Sequence, residues 1–189
     1  MKVLTLPNKI SLGRIFFIPP FAFCIIQVQH SNQYRYVCLF FMLIIGLSDV
    51  LDGYIARKRN ERTTLGKLLD PVADKLALAT SCIILSSEGL WQGPRLPDWY
   101  PKIIIGTYIL LILGTIAMYL ITGITACQPS TVGKVSACLQ SLVIITVLIG
   151  NHIPASVLTA IWKSTVIVTI ASGVFYLYRG GKTILLSVT

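Results

Sequence analysis

Four aspartates lie within residues 48–75 of a 189-residue chain that has only seven acidic residues. Asp49 and Asp52 are three residues apart and Asp70 and Asp74 are four apart, so each pair shares a face if its segment is helical. Carboxylates beside apolar sequence are costly unless their charge is compensated. Hard oxygen ligands suit Mg²⁺, Mn²⁺ or Ca²⁺, and four carboxylates can bridge two metal ions about 3.5–4 Å apart, which clamps a displacement at phosphorus.

The surroundings of the aspartates support a cation and a phosphate ligand. If the first of the two helices ends near residue 57, Asp49 and Asp52 lie near its C-terminal end, where the macrodipole disfavours an anion by roughly 0.3–1 kcal/mol. The small residues of the stretch leave room for a bulky ligand or a close helix, and its first arginine offers a planar fork for phosphate. These residues are Gly53, Ala56, Gly66 and Arg57.

Two parts of the stretch also have simpler interpretations. Asp70 precedes Pro71, so it could cap a helix that has proline at its first position. The other basic residues suit an ordinary cytoplasmic anchor: Lys58, Arg59 and Arg62. Asp49 and Asp52 have no comparable alternative, because an apolar helix gains nothing from them.

The elements that position these residues are predicted to be membrane helices. The chain is 54% hydrophobic and 12% charged, with a mean hydropathy of +0.77, which no ordinary soluble domain of this size shows. At about 20 residues per span, it has room for a single all-α integral membrane domain over 1–189 with six transmembrane helices. The predicted spans are 12–29, 35–57, 66–87, 102–122, 131–150 and 155–178.

Charge gives the predicted orientation. The net charge of +9 suggests anionic membrane lipids and phosphate-bearing substrates, with no nucleic acid as partner. With the N-terminus inside, most basic residues fall on the cytoplasmic side, including those around the aspartates, whereas the opposite side carries Arg35, Arg95, Lys102 and the less certainly placed Lys163. This imbalance predicts that both termini and the polar site are cytoplasmic.

The motif Asp49-x2-Asp52-Gly53-x2-Ala56-Arg57-x8-Gly66-x3-Asp70-x3-Asp74 resembles the signature of the CDP-alcohol phosphotransferase family, with every fixed position filled. The resemblance implies a six-helix membrane enzyme of phospholipid synthesis in the bacterial inner (plasma) membrane, usually a homodimer. It implies that the four aspartates hold two divalent cations, Mg²⁺ or Mn²⁺, and that Asp74 is the general base.

The same resemblance assigns the binding of CDP-diacylglycerol. Besides Gly53, Ala56, Arg57 and Gly66, it implicates Thr63 and an N-terminal pattern of Asn8, Ser11 and Arg14, which share a face if that segment is helical. The family pattern has threonine where this chain has Ser11, and serine keeps the hydroxyl. Helix capping remains the alternative for Thr63, and capping with positive-inside anchoring for the N-terminal pattern.

The acceptor alcohol is less determined. Length and the terminal patterns look most like the bacterial phosphatidylglycerophosphate synthases of the family, whose acceptor is glycerol 3-phosphate, with Lys134 as the candidate contact for its phosphate. The alternative is phosphatidylglycerol as acceptor, as in cardiolipin synthases. Both groups usually have an arginine and an acid near the start of the fourth span, where this chain has Thr107 and Tyr108 after Gly106.

A metal-ion or proton-coupled transporter is the interpretation from another class of protein. It predicts carboxylates near the middle of several spans, whereas the other predicted spans contain no aspartate or glutamate.

A lysine at the start of the fifth span, Lys134, also suits simple anchoring of a helix end.

The orientation can be tested by cysteine labelling of a variant whose five native cysteines are replaced. A membrane-impermeant maleimide added to intact cells is expected to label a single cysteine at Asn32 or Gly93, and not one at Asn60 or Gly181. The opposite labelling pattern would overturn the predicted orientation.

Overall fold

A computed structural model describes residues 6–59, 64–91, 93–122, 131–150 and 153–188, with the backbone alone for 6–12, 14, 48–59, 64–74, 119, 122, 131 and 182–188. These residues form six α-helices and, within the described ranges, no strand. The helices are α1 Leu6–Gln27, α2 Gln33–Arg59, α3 Thr64–Ser86, α4 Trp99–Thr122, α5 Thr131–Ile149 and α6 Ala155–Val188. The predicted all-α class and the number of helices are confirmed.

Three helix boundaries differ by three residues or more from the predicted spans, and the others agree within two residues. The helix α1 begins at Leu6 rather than at 12, α4 begins at Trp99 rather than at 102, and α6 continues to Val188 rather than ending at 178. Hydropathy marks where a helix leaves the hydrocarbon, and a helix can continue into the aqueous interface. Pro101 is tolerated in the first turn of α4 because the N–H groups there have no partner within the helix.

Several helices contain apolar stretches that could lie in a membrane. Among the described residues, three stretches are long and apolar enough to cross one: Trp99–Met118, Val132–Ile149 and Ala155–Gly181. In the other three helices, the side chains that the structure describes form the apolar stretches Ile15–Gln27, Gln33–Leu47 and Lys75–Ser86. Large apolar side chains such as Leu120 and Ile167 are exposed, as expected for contact with lipid. The chain is an integral membrane protein.

The first of two compact units comprises the chain up to residue 96 together with residues 144–152. In it α1 packs against both α2 and α3. Phe41 of α2 lies between two rings of α1, with its centroid 6.2 Å from those of Phe17 and Phe21. Phe21, Ile25 and Leu85 are fully buried in this unit. Burial of these apolar side chains fixes α1 against its two partners.

The second unit comprises residues 97–143 and the chain from residue 153 onwards. In it α4 packs against α6, and a buried polar network links α4, α5 and α6. The Tyr108 hydroxyl donates to Oε1 of Gln140. Nε2 of Gln140 donates to Oγ1 of Thr169 (2.9 Å) and to Oγ of Ser136 (3.2 Å), and the two hydroxyls lie 2.8 Å apart. A buried amide is tolerated because its donors and acceptor are satisfied.

This network predicts a stability difference between two tyrosine variants. Tyr108→Phe removes a donor to the buried Gln140 amide, whereas Tyr178→Phe removes a hydroxyl from a side chain that is 69% exposed. Hydrogen bonds between membrane helices contribute on average about 0.6 and at most about 1.7 kcal/mol, which corresponds to a fall in Tm of roughly 1–7 °C. We expect that fall for Tyr108→Phe alone in thermal unfolding of the detergent-solubilised protein. Equal Tm values for the two variants would show that the Tyr108 bond contributes nothing.

Candidate functional site

The four aspartates lie on two helices of the first unit. Asp49 and Asp52 lie in α2, ten and seven residues before its end at Arg59, and Asp70 and Asp74 lie in α3, six and ten residues after Thr64. Since both segments are helical, each pair lies on one face of its helix, as predicted.

The helix bounds correct two details of the sequence interpretation. Asp70 lies inside α3, so it is not an N-cap and that alternative is removed. Asp49 and Asp52 lie about two to three turns before the end of α2, whereas the effect of the macrodipole is concentrated in the last turn. The predicted dipole penalty on these two residues is therefore small. The prediction of a bound cation therefore rests on their mutual repulsion and on the cost of placing carboxylates next to apolar sequence.

The topology of the first unit brings the two pairs to one end. The helices α1 and α2 are joined by residues 28–32 and pack together, and such short connections join antiparallel neighbours. The start of α1 and the end of α2 therefore share an end of the unit. Only residues 60–63 separate the end of α2 from the start of α3, which limits the gap between the two helix ends to about 18 Å.

The predicted nucleotide-binding residues come to the same end. Asn8, Ser11 and Arg14 lie in the first half of α1, at intervals of three that place them within one side of the helix, as predicted. Because α1 packs against both α2 and α3, these positions are at the end of the unit that carries the aspartates.

The remaining predicted residues of the motif are distributed around the aspartates. Gly53, Ala56 and Arg57 lie in the last two turns of α2, and Gly66 lies in the first turn of α3. Thr63 lies outside the described residues. Their contacts with a ligand remain predictions.

Lys134 lies in the first turn of α5, in the second unit, and its side chain is exposed. Ser136 is buried and is two residues further on, roughly 200° around the helix. The side of α5 that packs within its own unit is therefore the side of Ser136 and Gln140, and Lys134 lies away from it. The sequence did not identify Tyr108 as the partner of Gln140, because the two residues are 32 positions apart.

The donor set at the end of the first unit fits divalent metal ions. Four carboxylates from two helices supply the hard oxygen atoms that Mg²⁺ and Mn²⁺ prefer. The two pairs come from adjoining helix ends, which suits ligands shared between two ions. Elsewhere, among the side chains that the structure describes, no group of three potential metal ligands comes together.

Comparison with known proteins identifies the class to which this arrangement belongs. A profile of the CDP-alcohol phosphatidyltransferase family matches residues 4–176. The chain belongs to the CDP-alcohol phosphatidyltransferase family. The motif, the helices that carry it and the family match agree, and the protein is a phosphatidyltransferase of phospholipid biosynthesis.

Individual relatives carry two kinds of name. The CDP-diacylglycerol–glycerol-3-phosphate 3-phosphatidyltransferase of Aquifex aeolicus is 31% identical over 185 residues, which is 96% of this chain and 98% of the relative. A putative cardiolipin synthase of Mycobacterium tuberculosis is 32% identical over 153 residues, 81% of this chain and 68% of the relative. The human cardiolipin synthase (CMP-forming) is 28% identical over 199 residues, 95% of this chain and 63% of the relative.

The metal site can be tested by titrating the purified protein with Mn²⁺ in a calorimeter. Asp49→Asn, Asp52→Asn and Asp70→Asn are each expected to weaken Mn²⁺ binding at least tenfold, about 1.4 kcal/mol, because a neutral amide replaces a carboxylate ligand. The control is Asp98→Asn, which removes an exposed carboxylate outside the motif. Binding that is unchanged in all three motif variants would exclude these aspartates as ligands.

Proposed function

We propose that the protein transfers the phosphatidyl group of CDP-diacylglycerol to glycerol 3-phosphate and releases CMP. The observation that carries the proposal is the end-to-end similarity to the Aquifex aeolicus 3-phosphatidyltransferase, which covers 96% of this chain and 98% of the relative. The motif aspartates on α2 and α3 agree with chemistry at phosphorus, and the short connections leave little room for a further substrate domain.

The reaction proposed is a displacement at the β-phosphorus of CDP-diacylglycerol. A hydroxyl oxygen of the acceptor forms a bond to this phosphorus, the bond from the phosphorus to the bridging oxygen breaks, and CMP leaves with that oxygen. Asp74 accepts the hydroxyl proton as general base. Two divalent cations, Mg²⁺ or Mn²⁺, bound by Asp49, Asp52, Asp70 and Asp74, would offset the negative charge of the pyrophosphate and of the leaving CMP.

The other motif residues are proposed to bind CDP-diacylglycerol. Asn8, Ser11 and Arg14 of α1 would contact the nucleotide, since their helix packs against both aspartate-bearing helices. Gly53, Ala56 and Gly66 add little side-chain bulk, which would let the lipid nucleotide approach the helix backbones closely. Arg57 and Thr63 would donate hydrogen bonds to its phosphates.

The setting of the enzyme is proposed from its charges and its family. We place the protein in the bacterial inner (plasma) membrane with both termini and the aspartates on the cytoplasmic side, where most of its basic residues lie. The family match runs through residues of both compact units, which supports a single functional domain over 1–189. A homodimer is proposed from the family alone.

Cardiolipin synthesis is the second candidate function, with phosphatidylglycerol as the acceptor. It is supported by the relatives named cardiolipin synthase, at 32% identity over 81% of this chain. These relatives match with shorter coverage of their own length than the Aquifex aeolicus protein does. A transporter has no comparable support, since the described parts of α4, α5 and α6 carry no carboxylate.

A product assay distinguishes the two acceptors. Purified protein with Mg²⁺ and CDP-diacylglycerol is expected to release CMP and form phosphatidylglycerophosphate when glycerol 3-phosphate is supplied, and to form no cardiolipin from phosphatidylglycerol. Removal of divalent cations with EDTA should abolish this turnover, and Mg²⁺ should restore it. Cardiolipin as the only product would replace the first candidate by the second, and full activity after chelation would exclude the metal-dependent reaction.

Lys134 is proposed as the contact for the acceptor phosphate, because its exposed side chain at the start of α5 is accessible to a water-soluble dianion. Lys134→Ala is expected to raise the KM for glycerol 3-phosphate at least tenfold, a loss of about 1.4 kcal/mol, with little change in the KM for CDP-diacylglycerol. Lys102→Ala is the control, since Lys102 is an exposed lysine in the first turn of α4. Equal KM values in the two variants would leave Lys134 as a helix anchor only.

A further inference from the structure

A cavity of about 180 Å³ lies in the first unit, away from the aspartates. Its walls are formed by Val28 and Gln29 in the turn after α1, by Arg35 in the first turn of α2 and by Gly93 after α3. Arg35 precedes Asp49 by 14 residues in the same helix, or about 21 Å along the axis. The cavity is therefore at the opposite end of α2 from the proposed catalytic site.

Arg35 is placed where a cation needs compensation. In the first turn of α2 its charge faces the positive end of the helix macrodipole, which is unfavourable for a cation. One of its donors is accounted for, because Nη1 donates to the carbonyl oxygen of Ile149 at the end of α5 (3.3 Å). A Cβ at Gly150, which has a φ of +78°, would lie 2.6 Å from Nη1, so the guanidinium is packed tightly against this helix end.

The hydrogen bond from Nη1 to Ile149 caps the C-terminal end of α5 and uses one N–H group of Arg35. The other N–H groups of the guanidinium are not used by this cap. Nε of Arg35 is buried and has no hydrogen-bond partner among the residues that the structure describes. A buried donor without a partner is destabilising. Nearby Arg95 differs, since its guanidinium forms an ion pair with Glu88; within the described part of the chain no carboxylate pairs with Arg35.

Gly93, which lines the cavity, lies between two residues that are held by hydrogen bonds, Trp91 and Leu96. Trp91 is buried and its Nε1 donates to the carbonyl of Pro94 (3.1 Å). Leu96 N–H donates to the carbonyl of Leu85 (3.0 Å), which holds the segment after Trp91 against α3. A Cβ at Gly93 would lie 2.5 Å from the Trp91 ring, so only glycine allows this close turn. Gly93 therefore presents a fixed stretch of backbone to the cavity.

We propose that this cavity binds the phosphate of a phospholipid headgroup, in the leaflet opposite the aspartates. The guanidinium fork of Arg35 and the Gln29 amide offer N–H donors to phosphate oxygens, and an oxyanion would offset the charge of Arg35. The adjacent Tyr36 is 69% exposed, and exposed tyrosines are typical of the level of the headgroups. The alternative is that water fills the cavity and that Arg35 serves only to cap α5.

The test measures lipid binding by the full-length protein in detergent, independently of its activity. The probes are phosphatidylethanolamine, which is neither proposed acceptor, diacylglycerol, which has the same tails without phosphate, and inorganic phosphate. Native mass spectrometry counts the lipids retained, and the shift in Tm reports affinity. We expect phosphatidylethanolamine to be retained with one more copy per chain than diacylglycerol and to raise the Tm of the wild type.

Variants then assign this binding to the cavity. Arg35→Gln is expected to lose the extra lipid and to weaken binding at least tenfold, whereas Arg95→Gln, which changes the ion-paired arginine, should behave like the wild type. Gln29→Leu leaves the Arg35 cap on α5 intact and should also weaken binding, so it decides the question if Arg35→Gln does not fold.

Three results would overturn the proposal. Equal retention of phosphatidylethanolamine and diacylglycerol would show that the phosphate is not recognised. Equal binding by the wild type, Arg35→Gln and Gln29→Leu would place the lipid elsewhere and leave Arg35 as a helix cap with water beside it. A rise in Tm that occurs with inorganic phosphate but not with phosphatidylethanolamine, and that is lost in Arg35→Gln, would make the cavity a site for free phosphate rather than for a lipid.

Discussion

The structure depends most on the cost of keeping four carboxylates beside an apolar bilayer. Asp49, Asp52, Asp70 and Asp74 cannot be surrounded by hydrocarbon without compensation, so the helices that carry them must bring them to an end of the unit. In the first unit this end is shared by the start of α1, the end of α2 and the start of α3.

The second unit also has to compensate polar groups that are kept away from water, and here the buried polar groups are neutral. Gln140 is 1% exposed, yet its amide is satisfied by Tyr108, Ser136 and Thr169. Membrane helices gain little from apolar contact with one another, because lipid tails are equally apolar, so a satisfied polar network is one of the few interactions that fixes their mutual rotation. The network therefore determines which side of α5 faces α4 and α6, and leaves Lys134 on another side.

The aspartate site of the first unit and the polar network of the second explain which structural features could be predicted from the sequence. Hydropathy gave the number of helices and the interior of each span, because both follow from the local cost of exposing polar groups to lipid. It did not give the ends of α1 and α6, since a helix that has left the hydrocarbon is limited by capping and packing instead. Spacing placed each aspartate pair on one helix face, because that depends only on helix geometry. The exposure of Lys134 was not predictable, because it follows from the pairing of Gln140 with a residue 32 positions away.

The acceptor alcohol has to be selected by residues outside the motif. The structure limits which of those residues can do so. The two positions that follow Gly106 are both used for packing within the second unit. The Thr107 methyl would lie 3.2 Å from a Cβ at Gly173, its hydroxyl donates to the carbonyl of Ile103 (2.9 Å), and Tyr108 holds Gln140. Neither residue carries charge, so the dianionic phosphate of glycerol 3-phosphate, the proposed acceptor, would have to be neutralised by cations elsewhere. Under the proposed function the exposed Lys134 at the start of α5 would supply that charge, whereas a lipid acceptor with a single charge would require less compensation.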